Sequence, residues 1–223
     1  MHAWFDSGPV EEGLEADGLG ESVSHVLGVL VKEIALLGGK PGAVFLGGVS
    51  QGMATALSAV FCAVGVEVDG RYGHGRLGGI LGFCGYLPFA GPVGELIRRS
   101  DSAAGTDAGR VNAPPQMRRM RLVSDFFVGM IGEPDMAHVG SHVAAHDAAT
   151  MSISTTPVLL GHGTDDALVS VDLGRQASRI LQEVMMAPVE WSEFSGAEGD
   201  GHWVKEPEGF DMILQFLERE SKG

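Results

Sequence analysis

Residues 43–52 read Ala-Val-Phe-Leu-Gly-Gly-Val-Ser-Gln-Gly, and this stretch decides the fold. Residues 43–47 are a short, continuous apolar run, the pattern of a strand buried on both faces. Directly behind it, Gly48-Val49-Ser50-Gln51-Gly52 fits Gly-x-Ser-x-Gly. Residues 51–64 are rich in Ala, Leu and Met and read as a helix. A strand that turns at once into a helix leaves no room at the corner, so glycines flank the serine where side chains would collide. Such a corner lifts the Ser50 hydroxyl above the end of the sheet. It also sets the Gln51 backbone N–H at a helix N-terminus, where negative charge developing on an oxygen is stabilised. An ordinary Gly-rich corner has the same composition, so the surrounding order of elements must decide.

Working outward, Val23, Val26, Leu27, Leu30, Val31, Ile34 and Leu37 recur at helical spacing, and Gly38-Gly39 with Pro41 ends that helix. Residues 79–86 predict a second strand, 157–160 a third and 189–194 a fourth. Leu173, Ala177, Ile180, Leu181 and Val184 mark a helix between the last two, and Phe210, Ile213, Leu214 and Leu217 a closing one. Residues 100–116 are small and polar with a proline pair, which predicts an exposed loop. Residues 117–150 are expected to hold helical pieces. Strands alternating with helices predict an α/β fold: a mostly parallel sheet with helices on both faces. One domain over residues 1–223 is expected, with an irregular excursion around 100–150.

A serine hydroxyl is a poor nucleophile without a base. After the third strand the chain reads Gly161-His162-Gly163-Thr164-Asp165-Asp166, and after the fourth Gly199-Asp200-Gly201-His202-Trp203. Both segments follow strand C-terminal ends, as Ser50 does, and that edge is where parallel sheets place their ligands. His202 can therefore take the Ser50 proton. Asp165 or Asp166 can fix the histidine tautomer and stabilise its charged form.

GGVSQGMA, GILGFCGYLPF, TTPVLLGHGTDDALV and GDGHW, with Ala3-Trp4-Phe5-Asp6 ahead of them, resemble the acyl-protein thioesterase/lysophospholipase/carboxylesterase group of α/β-hydrolases. Five separated motifs in order are far more specific than one pentapeptide. The resemblance implies an α/β-hydrolase-type sheet flanked by helices, and a Ser50–Asp166–His202 triad. It selects Asp166 over Asp165 through the spacing His-Gly-x-x-Asp. It implies cleavage of acyl thioesters or carboxylic esters, with acylated protein, lysophospholipid or a small ester as substrate and no cofactor. Cys84 stands where the family commonly has serine. Family members carry a further stretch before Ala-Trp-Phe-Asp, including a strand whose loop supplies a second oxyanion donor. The expectation is thus a fold with N-terminal strands missing, impaired activity, and self-association through the exposed strand at residues 43–47. The alternative is a truncated remnant that acts as a non-enzymatic interaction domain.

Composition narrows the partners. Fifteen Lys and Arg against 29 Asp and Glu give a net charge of −14, which argues against nucleic acid as partner, since phosphate binding needs clustered Lys and Arg. The 44% hydrophobic content supports a sizeable core. The longest weakly polar run, residues 54–66, falls short of the about 20 residues a bilayer span needs. The start of the chain is acidic and lacks the pattern of a signal peptide. Two cysteines, Cys62 and Cys84, make no disulfide framework, so a cytoplasmic location is expected. Gly73-His74-Gly75-Arg76-Leu77-Gly78 fits a dinucleotide pattern but precedes a strand instead of following one. His138, His142 and His146 are spaced to fall on one helical face; since a metal site on such a helix usually needs a carboxylate or further ligand at fixed spacing, a solvated or partly buried helix face is the expectation. Arg118, Arg119 and Arg121 read as a solvated basic face, with contact to an anionic substrate group as the sharper alternative. Met117, Met120, Phe126, Phe127, Met130 and Ile131 read as core, with an acyl-chain groove as the sharper alternative.

Overall fold

A computed structural model describes residues 14–66, 76–104, 115–132 and 155–222. Helix α1 (Leu14–Leu36) leads through a short 3-10 turn at Pro41–Ala43 into β1 (Phe45–Val49), followed at once by α2 (Gln51–Val66). Strand β2 (Gly79–Phe83) leads to α3 (Ala90–Ala104) and α4 (Pro115–Ile131). Strand β3 (Val158–Gly163), α5 (Val171–Met185), β4 (Val189–Phe194) and α6 (Glu208–Glu220) complete the described elements.

The four strands lie in the order β1-β2-β3-β4, all parallel. Parallel neighbours require crossovers, and the helices between the strands supply them. The strand period of two sorts the core into two layers. Ile80, Val158 and Leu160 face the larger layer with α1, α2, α3, α4 and α5, built around Leu27, Leu57, Phe61 and Phe127. Phe83 and Leu159 face α6, where Phe216 is the anchor. The Phe216 ring sits where a Gly79 β-carbon would lie, 2.5 Å from its edge, so that glycine admits the helix to the sheet. β3 is buried at all six positions, the three beyond the apolar residues 157–160 included.

Several expectations shift. The first strand spans Phe45–Val49 and not residues 43–47, because Ala43 belongs to the 3-10 turn. The second stops at Phe83, where Cys84 takes a positive φ of 49°. The third runs on to Gly163. The expected loop at 100–116 is helical at both ends: residues 100–104 close α3, and Pro115 opens α4. Proline suits a first helical position because its missing N–H has no helical partner there. The helical expectation for 117–150 holds through Ile131. Ala3-Trp4-Phe5-Asp6, residues 73–75, and His138, His142 and His146 lie outside the described residues.

Of the six residues read as core, Phe127 is buried and Met120, Phe126 and Ile131 pack half-buried against the core, whereas Met117 and Met130 are exposed. Phe127 is fully buried and stacks on Phe61 at 5.1 Å, and Phe126 meets Phe89 edge-on. Arg119 bridges α4 to α3 through Asp101 at 2.7 Å, and Arg121 is solvated beside Asp125. Among the described residues, no helix is long and apolar enough to cross a membrane.

Candidate active site

Ser50 sits in the one-residue corner between β1 and α2 with φ 56°, a left-handed conformation that costs energy for any residue with a β-carbon. Its amide donates to the Phe83 carbonyl at 2.9 Å, and its carbonyl accepts the first α2 bond from Ala54 at 3.2 Å. The glycines have the steric reason the sequence suggested. A β-carbon on Gly48 would land on the Gly52 carbonyl carbon. On the neighbouring side, a β-carbon on Gly85 would come within 2.7 Å of the Ser50 carbonyl oxygen. Gln51 is the first residue of α2, so its amide lies at the helix N-terminus beside Ser50.

The second half of the site grows from β3 and β4. Asp166 follows β3 in a tight turn, and its side chain is fully buried. Its Oδ1 accepts the Leu168 and Val169 N–H groups at 2.9 and 2.8 Å. Its Oδ2 lies 2.8 Å from His202 Nδ1 and 3.2 Å from His162 Nε2. Burial pushes the Asp166 carboxyl up, but the Val169 N–H, His202 and the Leu168 N–H together outweigh it and hold the group below its ordinary value. Asp165 is used differently: its Oδ2 takes the Gly196 N–H at 2.7 Å and ties the two loops together.

His202 rides on a loop that needs left-handed backbone three times running, at Gly199, Asp200 and Gly201, with φ 62°, 56° and 82°. Glycine adopts this freely and aspartate tolerates it, which is why the loop reads Gly-Asp-Gly. The Asp200 carbonyl accepts the Ala167 N–H at 3.1 Å, joining the His202 loop to the Asp166 turn. The His202 side chain is 14% exposed, so one edge of the ring remains open to an incoming molecule.

Cys84 stands between the halves. Its amide donates to the Gly161 carbonyl at 2.9 Å. Its thiol donates to the Trp203 carbonyl at 3.4 Å, with the Gly201 carbonyl at 3.8 Å. Burial above all, with Asp166 and Asp165 adding to it against a Gly163 backbone hydrogen bond, pushes this thiol up to about 11. It is thus a protonated donor and a poor nucleophile. The Ser50 corner touches Gly85, and Cys84 touches both carbonyls flanking His202, so the two halves meet at one point of the carboxyl edge. Asp166 and His202 are in direct contact. Among the described residues, no hydrogen bond joins the Ser50 hydroxyl to His202. Leu168 and Trp203, close in sequence to Asp166 and next to His202, are 74% and 44% exposed. No group of three or more His, Cys, Asp or Glu is placed to hold a metal ion among the described residues.

Sequence reasoning missed His162 as a neighbour of Asp166. The spacing of four was visible, but the ring lies on a strand and the carboxylate beyond it, and no helical periodicity links the two.

No protein-family model matches the chain, and no curated protein matches it. Solved structures do. The chain is similar to SOBER1 of Arabidopsis thaliana at 22% identity and a TM-score of 0.56, over 99% of this chain and 74% of that one. It is similar to acyl-protein thioesterase 2 of Zea mays at 22% identity and 0.55, over 98% and 72%. It is also similar to a phospholipase/carboxylesterase of Dyadobacter fermentans at 18% and 0.52, over 97% and 70%. The fold of this chain is that of the α/β-hydrolases.

Proposed function

We propose that the chain is a serine hydrolase of esterase or thioesterase type, with Ser50 as nucleophile, His202 as base and Asp166 as the acid that orients it. The observation that carries this is the 2.8 Å contact between buried Asp166 and His202, set on the same sheet edge as a serine held at a strained corner. His202 Nδ1–H faces Asp166, which leaves Nε2 unprotonated and able to accept. Ser50 Oγ attacks the acyl carbonyl as its proton passes to His202 Nε2. The resulting oxyanion is stabilised by the Gln51 N–H. The intermediate collapses, the C–S or C–O bond breaks, and the leaving thiolate or alkoxide takes the proton from His202. Water then attacks the acyl-enzyme with His202 as base again, releasing the carboxylic acid and restoring Ser50.

The names of the similar proteins point to acyl-protein thioesters, phospholipids and carboxylic esters as substrate classes. Exposed Leu168 and Trp203 give the apolar flank an acyl chain needs. The two thiols are unpaired, which agrees with a reducing, cytoplasmic setting. A second reading, a non-catalytic interaction domain, is favoured by the absence of a Ser50–His202 hydrogen bond among the described residues. Such bonds are often long before substrate binds, so this weighs less than the acid–base contact. The experiment is hydrolysis of a short acyl thioester and of p-nitrophenyl butyrate by the purified chain and by Ser50→Ala. Turnover by the wild type and none by the variant supports the enzyme.

A further inference from the structure

His162 is fully buried at the end of β3, and no step of the proposed reaction uses it. Its ring lies between Trp191, at 6.4 Å between centroids, and the start of α5, where a β-carbon on Gly174 would land on Nδ1. Nδ1 is buried with no hydrogen-bond partner. Nε2 has two oxygens before it: the Val169 carbonyl at 2.9 Å and Asp166 Oδ2 at 3.2 Å. A carbonyl and an ionised carboxylate can only accept. The ring proton therefore sits on Nε2. The opposite tautomer would bury an N–H against a glycine and turn a lone pair toward two oxygens. The N–H is aimed at the carbonyl, with the carboxylate oxygen beside it.

That carbonyl belongs to the turn whose Leu168 and Val169 N–H groups hold Asp166 Oδ1. A single imidazole thus clamps the turn and lies against Oδ2, the oxygen that meets His202 Nδ1 at 2.8 Å. Resting on the reading of Asp166 and His202 as acid and base, we propose that His162 is a positioning residue: its Nε2–H, held in one tautomer by the two acceptor oxygens before it and given room by Gly174, fixes the 166–169 turn and keeps Asp166 Oδ2 aimed at His202. It touches no substrate and transfers no proton. Gly174 becomes part of the same device, since any larger residue there would push the ring off the turn.

The test uses the whole chain and p-nitrophenyl butyrate. His162→Leu removes the donor, and His162→Gln returns an amide N–H near the place of Nε2. The expected result is a kcat for His162→Leu lower by about 10- to 100-fold, with KM nearly unchanged and most of kcat recovered in His162→Gln. Gly174→Ala should follow His162→Leu. A folded His162→Leu with full kcat, or a His162→Gln no better than His162→Leu, overturns the proposal. Where the leucine costs cooperative melting, nitrogen-15 NMR of the wild type carries the decision, whether or not the ester is turned over. A proton on Nε2 of His162 supports the proposal, and a proton on Nδ1 overturns it. Failure of the triad reading looks different: Ser50→Ala would keep its turnover whatever the His162 variants do.

Discussion

The proposed acid–base half of the site and the proposed nucleophile half rest on different supports. β3, which delivers Asp166, has a strand on either side and is buried throughout. β1, which delivers Ser50, pairs with β2 alone among the described strands, and none of its five residues is fully buried. Asp166 is held by hydrogen bonds at both carboxylate oxygens. Ser50 is held by its backbone and by the glycines packed around it. The difference suits the proposed roles. A base must be kept in one tautomer and direction, which directional bonds achieve. A nucleophile at a corner needs only that the corner stay sharp, which close packing achieves. The first half should therefore be sensitive to lost polar atoms and the second to added carbon.

The largest effects should come from the reacting groups themselves. Ser50→Ala and His202→Ala should each lower ester turnover by about 10⁴–10⁶, because members of such a unit fail together. Asp166→Asn should cost about 10⁴ through the wrong tautomer. Asp165→Asn should cost less than about tenfold, since among the described residues the Asp165 side chain holds the Gly196 amide and not His202. Steady-state kinetics on p-nitrophenyl butyrate checks the ranking, and equal losses at the two aspartates would erase the distinction drawn between them.

Added carbon should break the nucleophile half. Gly48→Ala puts a β-carbon onto the Gly52 backbone and should destabilise by about 3 kcal/mol, or roughly 10 °C in Tm. Gly47→Ala, whose β-carbon would meet Leu81 at 3.4 Å, should stay within about 1 kcal/mol of the wild type. Thermal melts of the two variants decide it, and similar Tm values would mean that the corner is not held by exclusion.

The legible parts of this molecule were those whose cause is local. Gly48-Val49-Ser50-Gln51-Gly52 and Gly199-Asp200-Gly201-His202 carry in their own residues the reason for their backbone, and both were read in place. β3 announced itself through an unbroken apolar run. α3 did not: Gly91, Pro92 and Gly94 fill its first turns and a polar tail ends it, so the pattern resembles a turn although Val93 and Ile97 are buried against α4 and α5. Pro114-Pro115 read as loop although the second proline opens α4. The contact of His162 with Asp166 was hidden because it depends on where a turn folds back over a strand end. The link from Ser50 through Gly85 and Cys84 to the His202 loop was hidden for the same reason, as it joins three segments far apart in the chain.

A smaller effect concerns the outer edge of β1. With only β2 beside it among the described strands, β1 leaves backbone groups able to pair with another strand. Sedimentation velocity should show mass rising with concentration, and Gly47→Lys, a charge at an exposed edge position, should reduce it. A strictly monomeric wild type would mean that this edge is covered.

The smallest effect is on acid stability. The Asp166 carboxyl titrates below its ordinary value of 3.8, so its contribution is present above that pH and is lost as pH falls through the lower folded value. Asp166→Asn should therefore be less stable than the wild type near neutrality and should flatten the acid limb of its stability curve. Parallel acid limbs in urea titrations would show that Asp166 is not held as described.

The central claim, that Ser50 is a nucleophile activated by the Asp166–His202 pair, is tested most directly by peptide-mapped labelling with a fluorophosphonate probe. The account predicts one adduct, on Ser50, in the wild type, and labelling slowed by several orders of magnitude in His202→Ala of equal melting behaviour. No adduct on a folded wild-type chain, or equal labelling of Ser50 with and without His202, would contradict it.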